Sequence, residues 1–493
     1  MILFLPVFLP LLTIVLLLLV RKKLHAQQWI SVLASLAQLV VAVQLLVSVY
    51  TSGPMVAQAG SWQAPFGITF YADLFSAIML VTVALLGFIL VFYAIGLLDN
   101  ERKRNSFFVL LQGLFAGVNG SFLTGDLFNL YVWFEVMVIA SFVLITLGGT
   151  KDQLKGSVKY VVMNLLGSTF FVIAIGLIYG QTGTLNMADL AQKIANQDPG
   201  AVTGSAFMLF FVAFGIKAAV FPFYFWLPAS YPSAPSPVFA FFAATLTKVG
   251  VYVIIRFYAL FIGSEIEFWQ QIVFVIAAFT MVSGVLMAAS SFDIRKILSF
   301  HIISQIGYMV MGVGIFTITG LGGAIYFLVH NMLSKTAAIM SGGLVNQMKG
   351  SYNLKNLGYI YKEKPLLAFL FLIPALSLAG IPPTPGFYGK LFLIYGGFEA
   401  GNIVITIIAI LVSVLTLFSM VKIWNEAFWK KPAEETDSKP VSNMAYSATA
   451  ALVVVLLLFG FATFLLADVF FEASAQVMDK EFYINNVLKI TAP

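Results

Sequence analysis

Glu135, Lys217, Lys248 and Lys390 each stand in the middle of a strongly apolar stretch, in a chain that otherwise keeps its charges out of such stretches. Holding a charged side chain at the centre of a bilayer costs about 2.5 to 3.5 kcal/mol on insertion scales. A charge that persists there therefore faces an internal cavity or marks an ion path. Several such groups in one chain point to a route for protons or cations.

The elements that must position them are membrane-spanning helices. The chain has 493 residues, of which 60% are hydrophobic and 10% charged, and its mean hydropathy is +0.97. A soluble fold of that composition could not cover its own apolar surface. About fourteen apolar windows of roughly twenty residues recur, each enough for one crossing. They lie at 4–20, 29–51, 71–96, 107–123, 127–149, 158–180, 202–221, 237–262, 270–291, 296–316, 320–343, 366–399, 403–428 and 445–468. The first window lacks a small-residue cleavage site and is expected to be a retained span. The chain offers no soluble domain. Its longer polar segments, at 181–200, 346–365 and 429–444, are expected to be connections, and 469–493 a mixed tail with an amphipathic surface segment.

Two spans are broken by proline. The seventh runs AFGIKAAVFPFYFWLP, with Pro222 and Pro228 after Lys217, and the twelfth runs ALSLAGIPPTPGFYGKLFL, with Pro382, Pro383 and Pro385 ahead of Lys390. Proline removes a donor and frees a carbonyl, which hydrocarbon tolerates only where protein or water takes over the partnership. Breaks in corresponding positions of two halves point to the transport site of an inverted-repeat transporter.

Positive charge sets the orientation. One set of alternate loops holds eighteen Lys and Arg residues, among them Arg21, Arg102, Lys151, Lys155, Lys159, Arg295, Lys349 and Lys430, whereas the other set with the tails holds Lys193, Lys480 and Lys489. That bias puts both termini outside and implies an even number of spans. The net charge of +6 is thus a topological signal that needs no nucleic-acid partner. The absence of cysteine excludes thiolate-held iron–sulfur clusters, disulfides and Cys-zinc sites. With three histidines, and His25 read as a loop residue, paired bis-histidine haems cannot be built. No cofactor or metal is expected, and no nucleophile–base set suggests an enzyme.

Three runs carry a resemblance: KAAVFPFYFWLPASYPSAPSPVFAFFAATLTKVGVY at 217–252, SSFDIRKILSFHIISQIGYM at 290–309 and LSLAGIPPTPGFYGK at 376–390. Together they resemble the antiporter-like subunits shared by respiratory complex I and Mrp-type sodium/proton antiporters, over roughly residues 70–430. GSFLTGDLFNLYVWFEVMVIASFVLITLGG at 120–149 is most similar to the D-type subunits of the Mrp branch, and the length accords with that type. The resemblance implies an all-α polytopic fold of fourteen spans with two inverted five-helix repeats. It divides the chain into N-terminal helices 1–3 at 1–106, a first repeat at 107–262, a second at 263–428, and a final helix and tail at 429–493. It also implies a midplane chain of ionisable groups. In that chain Glu135 and Lys217 are the paired acid and base, Lys248 the central relay, His330 a bridge toward Lys390, and Lys390 the terminal group. Relatives commonly have an acid after WLP where Ala229 stands here, so no role is carried to that loop.

A lysine paired with a carboxylate is held between opposing effects, burial disfavouring its charged form and the acid favouring it. Approach of Glu135 would hold a proton on Lys217, and its withdrawal would favour transfer toward Lys248. Each group also has a plainer reading. Glu135 and Lys217 could form a structural ion pair, and Lys248 and Lys390 could snorkel to an interface. His330 could be a packing residue, and Lys335 could share its relay or point into a polar crevice. His301, beside Arg295 and Lys296, is expected at the interface; Asp73 could attract cations or cap its helix. Arg256 is expected to pair with an acid not identifiable from sequence.

The reading that follows is a proton-translocating subunit of a multisubunit sodium/proton antiporter in the cell membrane. Its partners would be subunits of the A, B, C, E, F and G types, with sodium ions, protons and membrane lipid. The alternative is a proton-pumping membrane subunit of a complex I-like NADH:quinone oxidoreductase or membrane-bound hydrogenase. A purely structural scaffold is the reading from another class.

Overall fold

The computed structural model describes residues 2–196, 201–262, 266–432 and 438–488, so Lys489 and residues 197–200 of the polar segment 181–200 lie outside the described residues. Hydrocarbon offers backbone groups no partners, so the apolar windows become helices that satisfy their own. In chain order they are α1 Leu5–Leu19, α2 Leu24–Ser52, α3 Leu74–Leu97, α4 Phe108–Leu123, α5 Leu127–Thr146, α6 Lys151–Thr182 and α7 Ala201–Ala218. There follow α8 Ser236–Phe261, α9 Ile266–Ser290, α10 Ile294–Ile315, α11 Ile318–Lys349, α12 Pro365–Ala379, α13 Pro385–Glu399, α14 Ile403–Ile423 and α15 Asn443–Phe461. Finally α16 Thr463–Met478 and α17 Lys480–Leu488 form the tail.

Among the described residues twelve helices are long and apolar enough to cross a membrane, so this is a multi-pass membrane protein. The windows at 320–343 and 366–399 are the two without such a helix. The first is the more polar α11, and the second is split into α12 and α13, each of 15 residues and too short alone. A small antiparallel hairpin departs from the all-helical expectation: β1 Met55–Gln58 pairs with β2 Thr69–Ala72, from Met55↔Ala72 to Gln58↔Thr69. Other local expectations change too. His25 is in the first turn of α2, and Lys151, Lys155 and Lys159 lie within α6. The segment 181–200 contains the helix Met187–Asn196. The tail packs on the bundle instead of lying apart: Phe470, Ala473, Tyr483 and Val487 are buried, and the Leu74 N–H donates to Gln476 Oε1 at 3.2 Å.

The centre of the bundle is α8, α10 and α11, buried almost throughout, whereas α1 and α2 are mostly exposed along their length. Two backbone arrangements recur 167 positions apart. The Leu127 N–H bonds Leu185 O at 2.9 Å and the Met187 N–H bonds Gly125 O at 2.8 Å; likewise the Ile294 N–H bonds Tyr352 O at 3.0 Å and the Leu354 N–H bonds Phe292 O at 2.8 Å. Asp126 caps α5 as Asp293 caps α10. Thr150 caps α6 and Thr317 caps α11; both helices have 32 residues and end at left-handed glycines, Gly183 and Gly350.

Candidate functional site

The buried ammoniums of Lys217, Lys248 and Lys390 are held by backbone carbonyls and hydroxyls of neighbouring helices or of their own. At the seventh span, α7 ends at Ala218, followed by Ala219 at φ +58° and a run of short turns through Ser233. The break is satisfied internally: Trp226 Nε1 donates to Ile216 O at 3.1 Å, and the Phe221 N–H to Thr280 Oγ1 at 2.9 Å. Just before the break stands Lys217, 3% exposed, whose Nζ donates to Ser168 Oγ at 3.2 Å and Asn164 O at 3.4 Å on α6. Ser168 Oγ in turn donates to Glu135 Oε1 on α5. No ion pair joins Glu135 and Lys217 among the described residues; the serine stands between them. Glu135 is only partly buried, and the Phe134 ring lies 5.6 Å from the Lys217 ammonium.

Lys248, wholly buried in α8, donates to Ala243 O at 2.6 Å and Thr247 Oγ1 at 3.4 Å. Lys390 lies after its break, in α13, unlike Lys217, which precedes its own; the two lysines are therefore not in equivalent places. Its Nζ donates to Leu378 O at 3.0 Å, Ala379 O at 2.9 Å and Ser413 Oγ at 2.9 Å. Those carbonyls belong to the last turn of α12, where a helix has no intrahelical donor left and carries partial negative charge, so a cation there completes the helix end. Gly380 makes this approach feasible. Its φ is +88°, and a Cβ at that position would stand 2.9 Å from Lys390 Cδ.

His330 Nδ1 meets Ser334 Oγ at 3.0 Å and Ser377 Oγ at 3.3 Å, while its Nε2 has no protein partner. Lys335 Nζ is buried without a partner, and so are both side-chain polar atoms of Asn331 and of Gln305. Lys335 lies in the fields of Lys248 and Lys390, and His330 in those of Lys335 and Lys390. Leaving one buried polar group unpaired costs about 1–3 kcal/mol, so a cluster of them is a cost that packing alone does not explain. By the 167-residue offset, Asn331 and Lys335 on α11 occupy the places of Asn164 and Ser168 on α6.

Three further expectations are settled by geometry. Asp73 caps α3 through the Ser76 N–H at 3.0 Å and also pairs with Arg256, which supplies the missing acid for that arginine. The guanidinium lies 5.4 to 5.8 Å from the rings of Tyr71, Phe75 and Tyr252. His301 is completely buried between α10 and α14, where its Nε2 meets Ser419 Oγ at 2.6 Å, so it faces protein and not the surface. The basic residues next to it mark the start of α10, and His301 is two turns further in. Ser168, Asn164, Ser377, Ser413, Gln305 and Asn331 were not among the sequence-derived candidates. The signal available was a polar side chain inside an apolar helix, which serine and asparagine give only weakly. On the face that carries Arg102 and Arg295, a polar recess of about 330 Å³ opens beside Ser236 at the start of α8.

This arrangement can be set beside known proteins. The family described as NADH:quinone oxidoreductase/Mrp antiporter matches residues 124–416, and the N-terminal family of complex I chain 5 matches residues 57–108. The D-type subunit of the Na(+)/H(+) antiporter of Alkalihalophilus pseudofirmus is 42% identical over 98% of this chain and 99% of its own, and that of Bacillus subtilis 38% over the same shares. A chain of the Mrp complex from a Dietzia species superposes with TM-score 0.93 at 32% identity, covering 99% of each chain. The matched region includes both helix breaks and all the buried ionisable groups described above from Glu135 to Lys390, and the relatives align almost end to end. The chain belongs to the NADH:quinone oxidoreductase/Mrp antiporter membrane family.

Proposed function

We propose that this chain is the D-type, proton-translocating subunit of a multisubunit sodium/proton antiporter of the cell membrane, and that it is a transporter rather than an enzyme. The observation that carries the reading is the Glu135–Ser168–Lys217 contact, an acid and a base coupled through one hydroxyl inside an apolar bundle. Protons would pass from that pair to Lys248, then through Lys335 and His330 to Lys390, and the cycle would drive cytoplasmic sodium out against entering protons. The recurrent backbone arrangement supports two inverted repeats, assigned to 107–262 and 263–428, with helices 1–3 before them and the last helix and tail at 429–493. Counting α11 as one crossing, and α12 with α13 as one broken crossing, gives fourteen spans and both termini outside. The other subunits of the relatives' complexes, of A, B, C, E, F and G types, would be its partners.

In everted vesicles carrying the whole complex, added sodium should dissipate a preformed proton gradient, and complexes lacking this chain should not respond. Gradient formation that instead requires a quinone and a reductant would favour the complex I-like alternative. Tags on the two termini should both be reached from outside intact cells; one reached only from inside would overturn the even span count.

A further inference from the structure

Helix α14 turns exposed apolar side chains outward, among them Val404, Leu411, Val414 and Phe418, yet it carries Ser413, Thr416, Ser419 and Lys422 at intervals of three. Each such step advances about 4.5 Å and turns about 60° back around the helix, so the polar line winds across the buried side instead of facing lipid. Each position meets a different neighbour. Ser413 Oγ takes a hydrogen bond from Lys390 of α13 and donates to Ala379 O at 3.2 Å. Thr416 is buried, Ser419 meets His301 of α10, and Lys422 Nζ donates to Ala289 O at 2.6 Å and to Ser291 O, where α9 ends near Arg295 and Lys296.

The hydrogen bonds favour one histidine tautomer. With its own hydrogen directed to Thr416 O at 2.9 Å, Ser419 Oγ accepts from His301, and Nε2 then carries the proton. That leaves Nδ1 as a free acceptor, and it is buried without a partner. The charged groups whose fields reach His301 come from three packed helices: Lys335 of α11, Lys390 of α13 and Lys422 of α14.

We propose that His301 and the α14 line form a proton branch connecting Lys390 and Lys335 with the basic-loop face near Lys422. The proposal rests on the reading that these lysines carry protons. A proton taken up at Nδ1 makes the imidazolium, which gives its Nε2 proton to Ser419; that hydroxyl turns and passes its own proton to water at the Lys422 end. One proton enters and one leaves; the ring is left with its proton on Nδ1 and regains its starting tautomer when water carries that proton round to Nε2. The terminal lysine of the second repeat would then have access to the basic-loop face.

The chain has no cysteine of its own, so Ser419→Cys creates the only thiol in it. In vesicles carrying the whole complex, Cys at 419 should react with a small water-soluble methanethiosulfonate cation added at the basic-loop face and not at the opposite face. His301→Gln keeps a side-chain donor for Ser419 but cannot carry a proton, so it should lower exchange about tenfold or more and flatten its pH profile. A thiol silent from both faces, or reactive only from the opposite one, overturns the branch, as does wild-type exchange with a wild-type pH profile in His301→Gln. If His301→Gln does not assemble, the thiol experiment decides alone, because it retains the histidine. Labelling from the basic-loop face in a complex whose exchange survives loss of Glu135 would sustain the water route and sink the transport reading instead.

Discussion

Glu135→Gln and Lys217→Ala should each bring sodium/proton exchange in everted vesicles down to the background of vesicles lacking the complex, with assembly retained. The acid and the base meet through Ser168, so each feels the other's charge without forming a direct pair. An acid and a base joined through one hydroxyl make a single proton-transfer unit, and removing either leaves no partner to give or take the proton. A direct buried ion pair would behave differently. Breaking one typically costs about 3–5 kcal/mol because a charge is stranded, and the chain would be lost from the complex. Here Glu135 is partly exposed and keeps Ser168 as a donor after substitution by Gln, so the fold should survive. Wild-type exchange in either variant would remove the pair from the mechanism, and loss of assembly in both would make it structural.

The membrane fold and the breaks beside Lys217 and Lys390 could be read from composition and proline alone, because hydrocarbon punishes both charge and unpaired backbone. What joins the groups could not. Ser168 is one hydroxyl residue among several in α6, and its place between Glu135 and Lys217 depends on how three helices pack. Asp73 and Arg256 are 183 residues apart, so no local spacing could pair them, and the cap and the ion pair proved to be two uses of one carboxylate. For His301 the charge next to it in sequence was the only local signal, and its partner Ser419 is 118 residues away. The 167-residue recurrence was hidden for a related reason. It lies in backbone hydrogen bonds and caps, Asp126 with Asp293 and Thr150 with Thr317, while the side chains between them diverged to Ser168 in one half and Lys335 in the other.

Lys248→Arg and Lys390→Arg should collapse exchange although both keep the positive charge. The surroundings of Lys390 explain why charge is not the requirement. Three acceptors, Leu378 O, Ala379 O and Ser413 Oγ, can receive a guanidinium as well as an ammonium, so a purely structural cation should keep part of its role as Arg. A relay must release its proton, and Arg does not at any accessible pH. The same holds at Lys248, whose ammonium faces Ala243 O in a helix with no room at the surface for snorkelling. Lys390→Glu is the discriminating case: it reverses the charge but restores a group that can titrate, and partial exchange with a displaced pH profile is expected. Proton uptake measured against pH in the three variants separates the readings. Activity in both Arg variants would leave these lysines as structural cations, whereas silence in both with residual exchange in Lys390→Glu would tie transport to the movement of the proton itself.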